Sequence, residues 1–282
     1  LIGAISNILL DPIFIYVLKM GVQGAAIATL ISQIFSMIFQ NSYFYSKRNL
    51  LGARPHELAL DKEIASEIVQ VGFPTMIRNA LASIMAILLN RYLGFYGGDV
   101  AISAYGVVNR VNSFVMLPSF GIIQGLQPIV GYNYGAKKYP RVRHAIQLAL
   151  GAMVSVLLLL SLSMMLFSKE MMLLFGDSRE FLELGSTMMK YIFIMLPLVS
   201  LQILSSSLFQ SLGQPRPAMV IALLRQAVLF IPLLIILPKI GLGLTGILLA
   251  FPISDFLSSL YGGLRLHQVY QTLKDSSPLA DE

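Results

Sequence analysis

Asp11 lies inside an apolar run, Leu1 to Leu18, and Pro12 follows it directly. A carboxylate in hydrocarbon is costly, and such acids usually face a bundle interior or an aqueous cavity. Proline has no N–H to donate, so the carbonyl of Ile8 loses its helical partner and the helix tends to kink. Asn7 stands one helical turn before Asp11, on the same face. Acid, amide, freed carbonyl and bend together have the make-up of a proton or small-cation site, for which oxygen donors are suitable ligands. The competing reading is an Asp that hydrogen-bonds to neighbouring helices for packing alone.

Few other side chains are equipped for chemistry. Arg78, Arg110, Arg225 and Asp255 fall within or near apolar segments. The arginines either line a cavity and bind an anionic group, or snorkel and pair with Asp255 or helix carbonyls, with Arg225 a natural partner for Asp255. His56, His144 and His267 lie in loops or at helix ends. No Ser/His/Asp constellation, metal-ligand cluster or phosphate loop occurs, so the chain does not read as an enzyme and no cofactor is expected. Cysteine is absent, which excludes disulfides and thiolate metal sites.

The elements that position these residues are membrane helices. Of 282 residues, 56% are hydrophobic and only 12% charged. Mean hydropathy is +0.75, far from a soluble average. Apolar stretches recur near the length of about 20 residues needed to cross a bilayer. Eight spans are expected, at 1–18, 24–45, 68–93, 100–130, 144–167, 181–210, 217–237 and 243–264. The fourth and sixth exceed the hydrocarbon thickness, and Pro118, Pro128 and Pro197 are expected bend points within them.

One set of loops holds Lys47, Arg48, Arg54, Lys62, Lys137, Lys138, Arg141, Arg143, Arg216, Arg265 and Lys274. The alternate set holds only Lys19, Lys169, Arg179 and Lys239, so the first set is expected to be cytoplasmic, the C-terminal tail included. The net charge of +6 therefore reflects topology and does not require a nucleic-acid partner. Segment 46–67 reads as a cytoplasmic linker between two lobes, with a short interfacial helix after Pro55. Residues 265–282 read as a cytoplasmic tail, disordered from Gln271.

The first two spans resemble the last two. Pro12, Lys19 and Gly21 recur at the same spacing as Pro232, Lys239 and Gly241. After a two-residue insertion, Gly24 recurs as Gly246, Ser32 as Ser254, and Gln33 aligns with Asp255. Ile231 stands where Asp11 would be, so the bend is shared by both copies and the acid is confined to one. A recurring helix pair implies a duplicated bundle, as in many transporters with repeated halves. Spans three to eight would form one complete unit. Spans one and two would end another that begins before Leu1.

Three stretches carry a family resemblance: NILLDPIFIYVLKMGVQGAAIATLISQ from Asn7 to Gln33, IIQGLQPIVGYNYGAKKYPRV from Ile122 to Val142, and SLFQSLGQPRPAMVIALLRQ through LLAFPISDFL from Ser207 to Leu257. They resemble the multidrug and toxic compound extrusion (MATE) transporters, in the prokaryotic branch with DinF-like and MepA-like proteins. The resemblance implies an all-α polytopic membrane protein of twelve helices in two lobes, of which this chain supplies eight. Residues 1–45 would be the last two helices of the N-lobe, and 68–264 the six-helix C-lobe. It implies an antiporter that exports amphipathic, often cationic compounds, driven by proton or sodium entry. In that branch an N-lobe cation site places Asn7, Asp11 and Thr29 by type and spacing, with the Ala25 carbonyl as a further ligand. A sodium ion at Asp11 is the only metal that the resemblance implies. An acid on the first helix of the family site precedes Leu1, so the site would be completed outside this chain.

Gly125, Pro128, Gly131, Asn133 and Gly135 cluster at the end of the fourth span and read as hinge or structural residues, as do Pro12 and Pro232. No individual residue earns a substrate role. The expected setting is the cell membrane, with the full-length protein acting as a monomer on small-molecule substrates. Two other readings stay open. One is a flippase for lipid-linked saccharides, of related architecture, whose phosphate would need a basic cavity, with Arg78, Arg110 and Arg225 as the candidates to build it. The other is a non-transporting membrane scaffold.

Overall fold

The structure is a computed structural model that describes residues 2–44 and 62–275. Helices account for nearly all of these residues, and no strand occurs among them. Packing divides the chain into two compact units, Leu1–Glu67 and Ile68–Glu282.

In the first unit, α1 (Ile2–Pro12) runs into a π-helical turn (Ile13–Val17), and α2 (Gly21–Phe44) returns beside it. The wide turn closes with the Leu18 N–H on the Ile13 carbonyl at 2.9 Å. It directly follows Pro12, where a regular ladder has already lost a donor. The two helices then meet at Gly24, where an added Cβ would lie 2.6 Å from the Phe14 carbonyl oxygen. Only glycine lets the backbones approach this closely.

A run of helical residues, Lys62–Gly135, starts in the last residues of the first unit, opens the second, and is broken at Gly98 (φ 65, ψ −168). It is therefore two helices, α3 (62–97) and α4 (99–135). There follow α5 (Tyr139–Leu166), a short α6 (Ser168–Leu173), α7 (Arg179–Phe193) and α8 (Leu196–Ser211). Next, α9 (Pro215–Leu223) passes through a π-helical segment (Leu224–Phe230) into α10 (Ile231–Leu237). A turn with Gly241 at φ 98 leads to the last helix, α11 (Gly243–Asp275).

The described residues of all eight expected spans are almost all helical. Among them, four of the continuous helices, or five with one bent pair counted as a span, are long and apolar enough to cross a membrane, and the chain is a multi-pass helical membrane protein. The sixth span is two helices bent by 47° just before Pro197, one of the expected bend points. Three particulars differ. The third and fourth spans are separated by one residue, because Gly98 alone supplies the non-helical step. The fourth span keeps helical backbone through Pro118 and Pro128 to Gly135. The last helix does not stop at 264 but continues to Asp275. Hydropathy marks only its apolar part, whereas Leu266 and Leu273 extend a buried stripe along a polar helix. The expected interfacial helix after Pro55 and the end of the tail, 276–282, lie outside the described residues.

Two clusters form the interior of the second unit. One gathers Leu89, Leu93, Met188, Phe193, Leu234 and Phe251. The other joins Ile123, Val130 and Ile146 to Leu204, Leu208 and Leu266. Large apolar side chains such as Phe95, Phe114, Leu159 and Leu166 face outward, while Ser200, Ser205, Ser254 and Ser258 are buried. That inversion suits lipid surroundings, where small residues let helices approach and apolar ones meet acyl chains.

The internal repeat extends to backbone packing. An added Cβ on Gly246 would lie 2.7 Å from the Leu237 carbonyl carbon, so it repeats the close approach made by Gly24. Ala28 and Ser32 are buried in one copy, and Ala250 and Ser254 in the other.

Candidate functional site

Asn7 and Asp11 share one face of α1, and Thr29 projects from the facing side of α2. The Asn7 amide Nδ2 donates to Asp11 Oδ1 at 3.2 Å and to Thr29 Oγ1 at 3.4 Å. The Thr29 hydroxyl in turn donates to the Ala25 carbonyl at 2.9 Å. The structure thus brings all four residues into one hydrogen-bonded chain. Asn7 and Asp11 are half-buried and Thr29 is exposed, so the chain lies on an open face of the helix pair.

The two amide contacts are long, and both come from a single nitrogen. As drawn, an N–H donor points to the centre and balances the Asp11 carboxylate. A cation there would require the amide to turn its oxygen inward, after which carboxylate, amide, hydroxyl and carbonyl would present a hard oxygen set. The donor set therefore fits a proton or a small cation, with Asn7 as the group that must rotate.

The residues at the end of α4 are less crowded than their glycines suggest. Added Cβ atoms at Gly125 and Gly135 would meet nothing within 4 Å, and one at Gly131 would make an ordinary 3.7 Å contact with Ser211. Asn133 donates to the Ile129 carbonyl at 2.8 Å. The left-handed residue that closes the helix is Lys137, at φ 58, and not Gly135. Lys138 N–H reaches the Asn133 carbonyl and Lys137 N–H the Tyr134 carbonyl, a Schellman cap. Pro232 opens the first turn of α10, just past the π-helical segment that carries Arg225.

A second polar centre lies wholly within the second unit. Arg225 Nε donates to Asp255 Oδ1 at 2.5 Å and pairs with it. The Asp255 side chain is 2% exposed and that of Arg225 35%. Both line a cavity of about 550 Å³ between α4, α8, the π-helical segment and α11. Its α4 wall is one stripe at helical spacing: Tyr105, Asn109, Asn112, Met116, Phe120 and Gln127. From α8 come Gln202, Ser206 and Gln210. Gln202 donates to the Ile221 carbonyl at 3.4 Å and accepts from Ser258 at 3.4 Å. Sequence reasoning singled out the charged pair but missed the amides. The available signal was amides at helical spacing along a single apolar span. Arg110 is exposed on α4 and stands outside this wall.

Comparison with known proteins identifies the family. The MatE family model matches residues 74–236. The chain is 28% identical over 276 residues to the multidrug export protein MepA of Staphylococcus aureus (strain MSSA476), covering 98% of this chain and 60% of that protein. It is also 28% identical over 260 residues to the protein of the same name from Staphylococcus saprophyticus, covering 92% of this chain and 57% of that one. The chain therefore spans about three-fifths of the curated relatives it matches. Among solved structures, an outward-facing multidrug resistance MATE family transporter of the MOP superfamily superposes with a TM-score of 0.85 at 24% identity, over 97% of this chain and 62% of that one. A MOP superfamily transporter from Pyrococcus furiosus Vc1 (DSM3638), whose binding pocket is described as having reverse polarity, gives a TM-score of 0.86 at 24% identity, over 97% and 62%. At that identity these likenesses show the fold.

Proposed function

We propose that this chain, which belongs to the MatE family, is part of a secondary active antiporter that exports amphipathic, often cationic compounds and is driven by proton or sodium entry. The observation that supports this most directly is the hydrogen-bonded chain from Asp11 through Asn7 and Thr29 to the Ala25 carbonyl. An acid within a membrane segment is expensive unless it serves a pathway or a partner. Here its partner is one neutral amide, shared with a hydroxyl. Asp11 takes the proton or sodium ion, Asn7 turns its amide to suit either state, and Thr29 and the Ala25 carbonyl complete the oxygen donors. The π-helical turn after Pro12 places an adaptable stretch of backbone next to this acid.

In this reading residues 1–45 end the N-lobe, 46–67 link the lobes, 68–264 form the C-lobe and 265–282 follow on the cytoplasmic side. The protein sits in the plasma membrane as a monomer. A flippase for lipid-linked saccharides would need several cations for its phosphates. Among the described residues, the second unit's cavity is lined by one cation, Arg225.

The test is dye efflux by the full-length protein in vesicles with an imposed proton or sodium gradient. Asp11→Asn is expected to abolish gradient-driven efflux at normal expression. Unchanged coupled efflux in that variant would remove Asp11 from the coupling role. A wild type that moves no dye under either gradient would favour the flippase or scaffold readings.

A further inference from the structure

We propose that the cavity of the second unit is a binding site for drug-sized amphiphiles that carry a carboxylate, with Arg225 as the group that receives it. Among the described lining residues, Arg225 is the only cation and Asp255 the only acid. Their pairing uses Nε of the guanidinium. The two Nη groups find no acceptor among the described residues, on a side chain that stays partly exposed to the cavity. Asp255, being buried, fixes the head and leaves the outer fork free. A guanidinium fork with unused donors matches a planar carboxylate in a bidentate arrangement.

The rest of the wall agrees. Beside the pair it presents amides and hydroxyls, with no second acid to repel an anion. Two of these amides, on Asn112 and Gln226, keep a buried oxygen with no hydrogen-bond partner. Both oxygens are acceptors, so they suit N–H or O–H groups on the body of the ligand, while its carboxylate goes to Arg225. Met85, Met116, Phe120 and Phe251 supply apolar and aromatic area for the body of the molecule. A volume near 550 Å³ is of drug size.

The proposal rests on the exporter reading for the class of ligand, but not on Asp11. Its test is equilibrium binding, without any ion gradient, of two dyes that differ in one group. Rhodamine 110 has a free carboxylate, and rhodamine 123 is its methyl ester. Fluorescence anisotropy on the purified full-length protein is expected to show rhodamine 110 bound about tenfold more tightly, the order of one charge-assisted hydrogen bond. Equal binding, or tighter binding of the ester, would overturn the proposal. In Arg225→Gln/Asp255→Asn, rhodamine 110 is expected to fall to the affinity of the ester, while the ester stays within about twofold of its wild-type value. A preference that survives in that variant would also overturn it. Asn109→Asp places an acid on the same wall without touching the pair. It is expected to weaken rhodamine 110 selectively, and an unchanged ratio would count against the site. Asp11→Asn is expected to keep the dye preference, so failure of the coupling role and failure of this site are read separately.

Discussion

Breaking the Arg225–Asp255 pair from either side should not cost the same. Asp255 is 2% exposed and Arg225 is 35% exposed, so the two ions depend on each other unequally. Arg225→Gln leaves a carboxylate sealed in the interior with no cation, a situation that costs about 3–5 kcal/mol. Asp255→Asn leaves a guanidinium that still reaches the cavity, so the loss is closer to one charged hydrogen bond, about 1.5–3 kcal/mol. The double variant removes both charges and lets Gln and Asn bond as neutral amides, so it should be more stable than Arg225→Gln alone. The measurement is reversible unfolding of the three variants by SDS in mixed micelles, read as a double-mutant cycle. A loss in Asp255→Asn equal to or above that in Arg225→Gln would refute the reasoning from exposure. So would a double variant whose loss equals the sum of the two single ones.

Gly246→Ala and Gly24→Ala should each destabilise by about 1–3 kcal/mol, since the new methyl group would press on backbone; Gly106→Ala, with nothing within 4 Å, should be neutral or stabilising, and thermal unfolding in detergent ranks the three. Asn7→Leu removes both amide contacts, worth about 0.5–1.5 kcal/mol each, and should raise the half-saturating coupling-ion concentration about tenfold in a dye-efflux titration. Ser178→Ala loses the cap that accepts the Phe181 N–H at 3.4 Å, and should cost about 0.5–1 kcal/mol in the same thermal assay. Arg179→Gln breaks an exposed pair with Glu183 and should leave stability within about 0.5 kcal/mol, whatever the salt.

The sequence was most legible where the membrane itself writes the rule. Apolar runs of spanning length located the helices because lipid permits little else. It was less legible at the helix ends, where residues 265–275 are polar in composition but helical in fact. There a stripe of Leu266, Val269 and Leu273 decides the structure, and a hydropathy average dilutes it. The trio of Asn7, Asp11 and Thr29 was readable because two of its members are one turn apart and the third came with a family resemblance. The cavity in the second unit was only half readable. Its charged pair stood out against apolar neighbours, while Asn109, Asn112, Gln127 and Gln202 come from two helices whose packing no local pattern reveals.

The wide turns bear on the symmetry of the molecule. A π-helical turn holds one residue more than the α-turn it replaces, which shifts angular phase by about 100°. The first copy has one after its proline, at Ile13–Val17. The second has one before its proline, at Leu224–Phe230, and another in the turn that follows, at Pro238–Leu242. The helix that bears Ile231 has therefore taken up an extra residue before it reaches the proline, and the helix that bears Asp11 has not. A duplicated pair of helices can in this way keep its proline and its glycine contact, and still give the proline-adjacent position to an acid in one half and to an aliphatic side chain in the other.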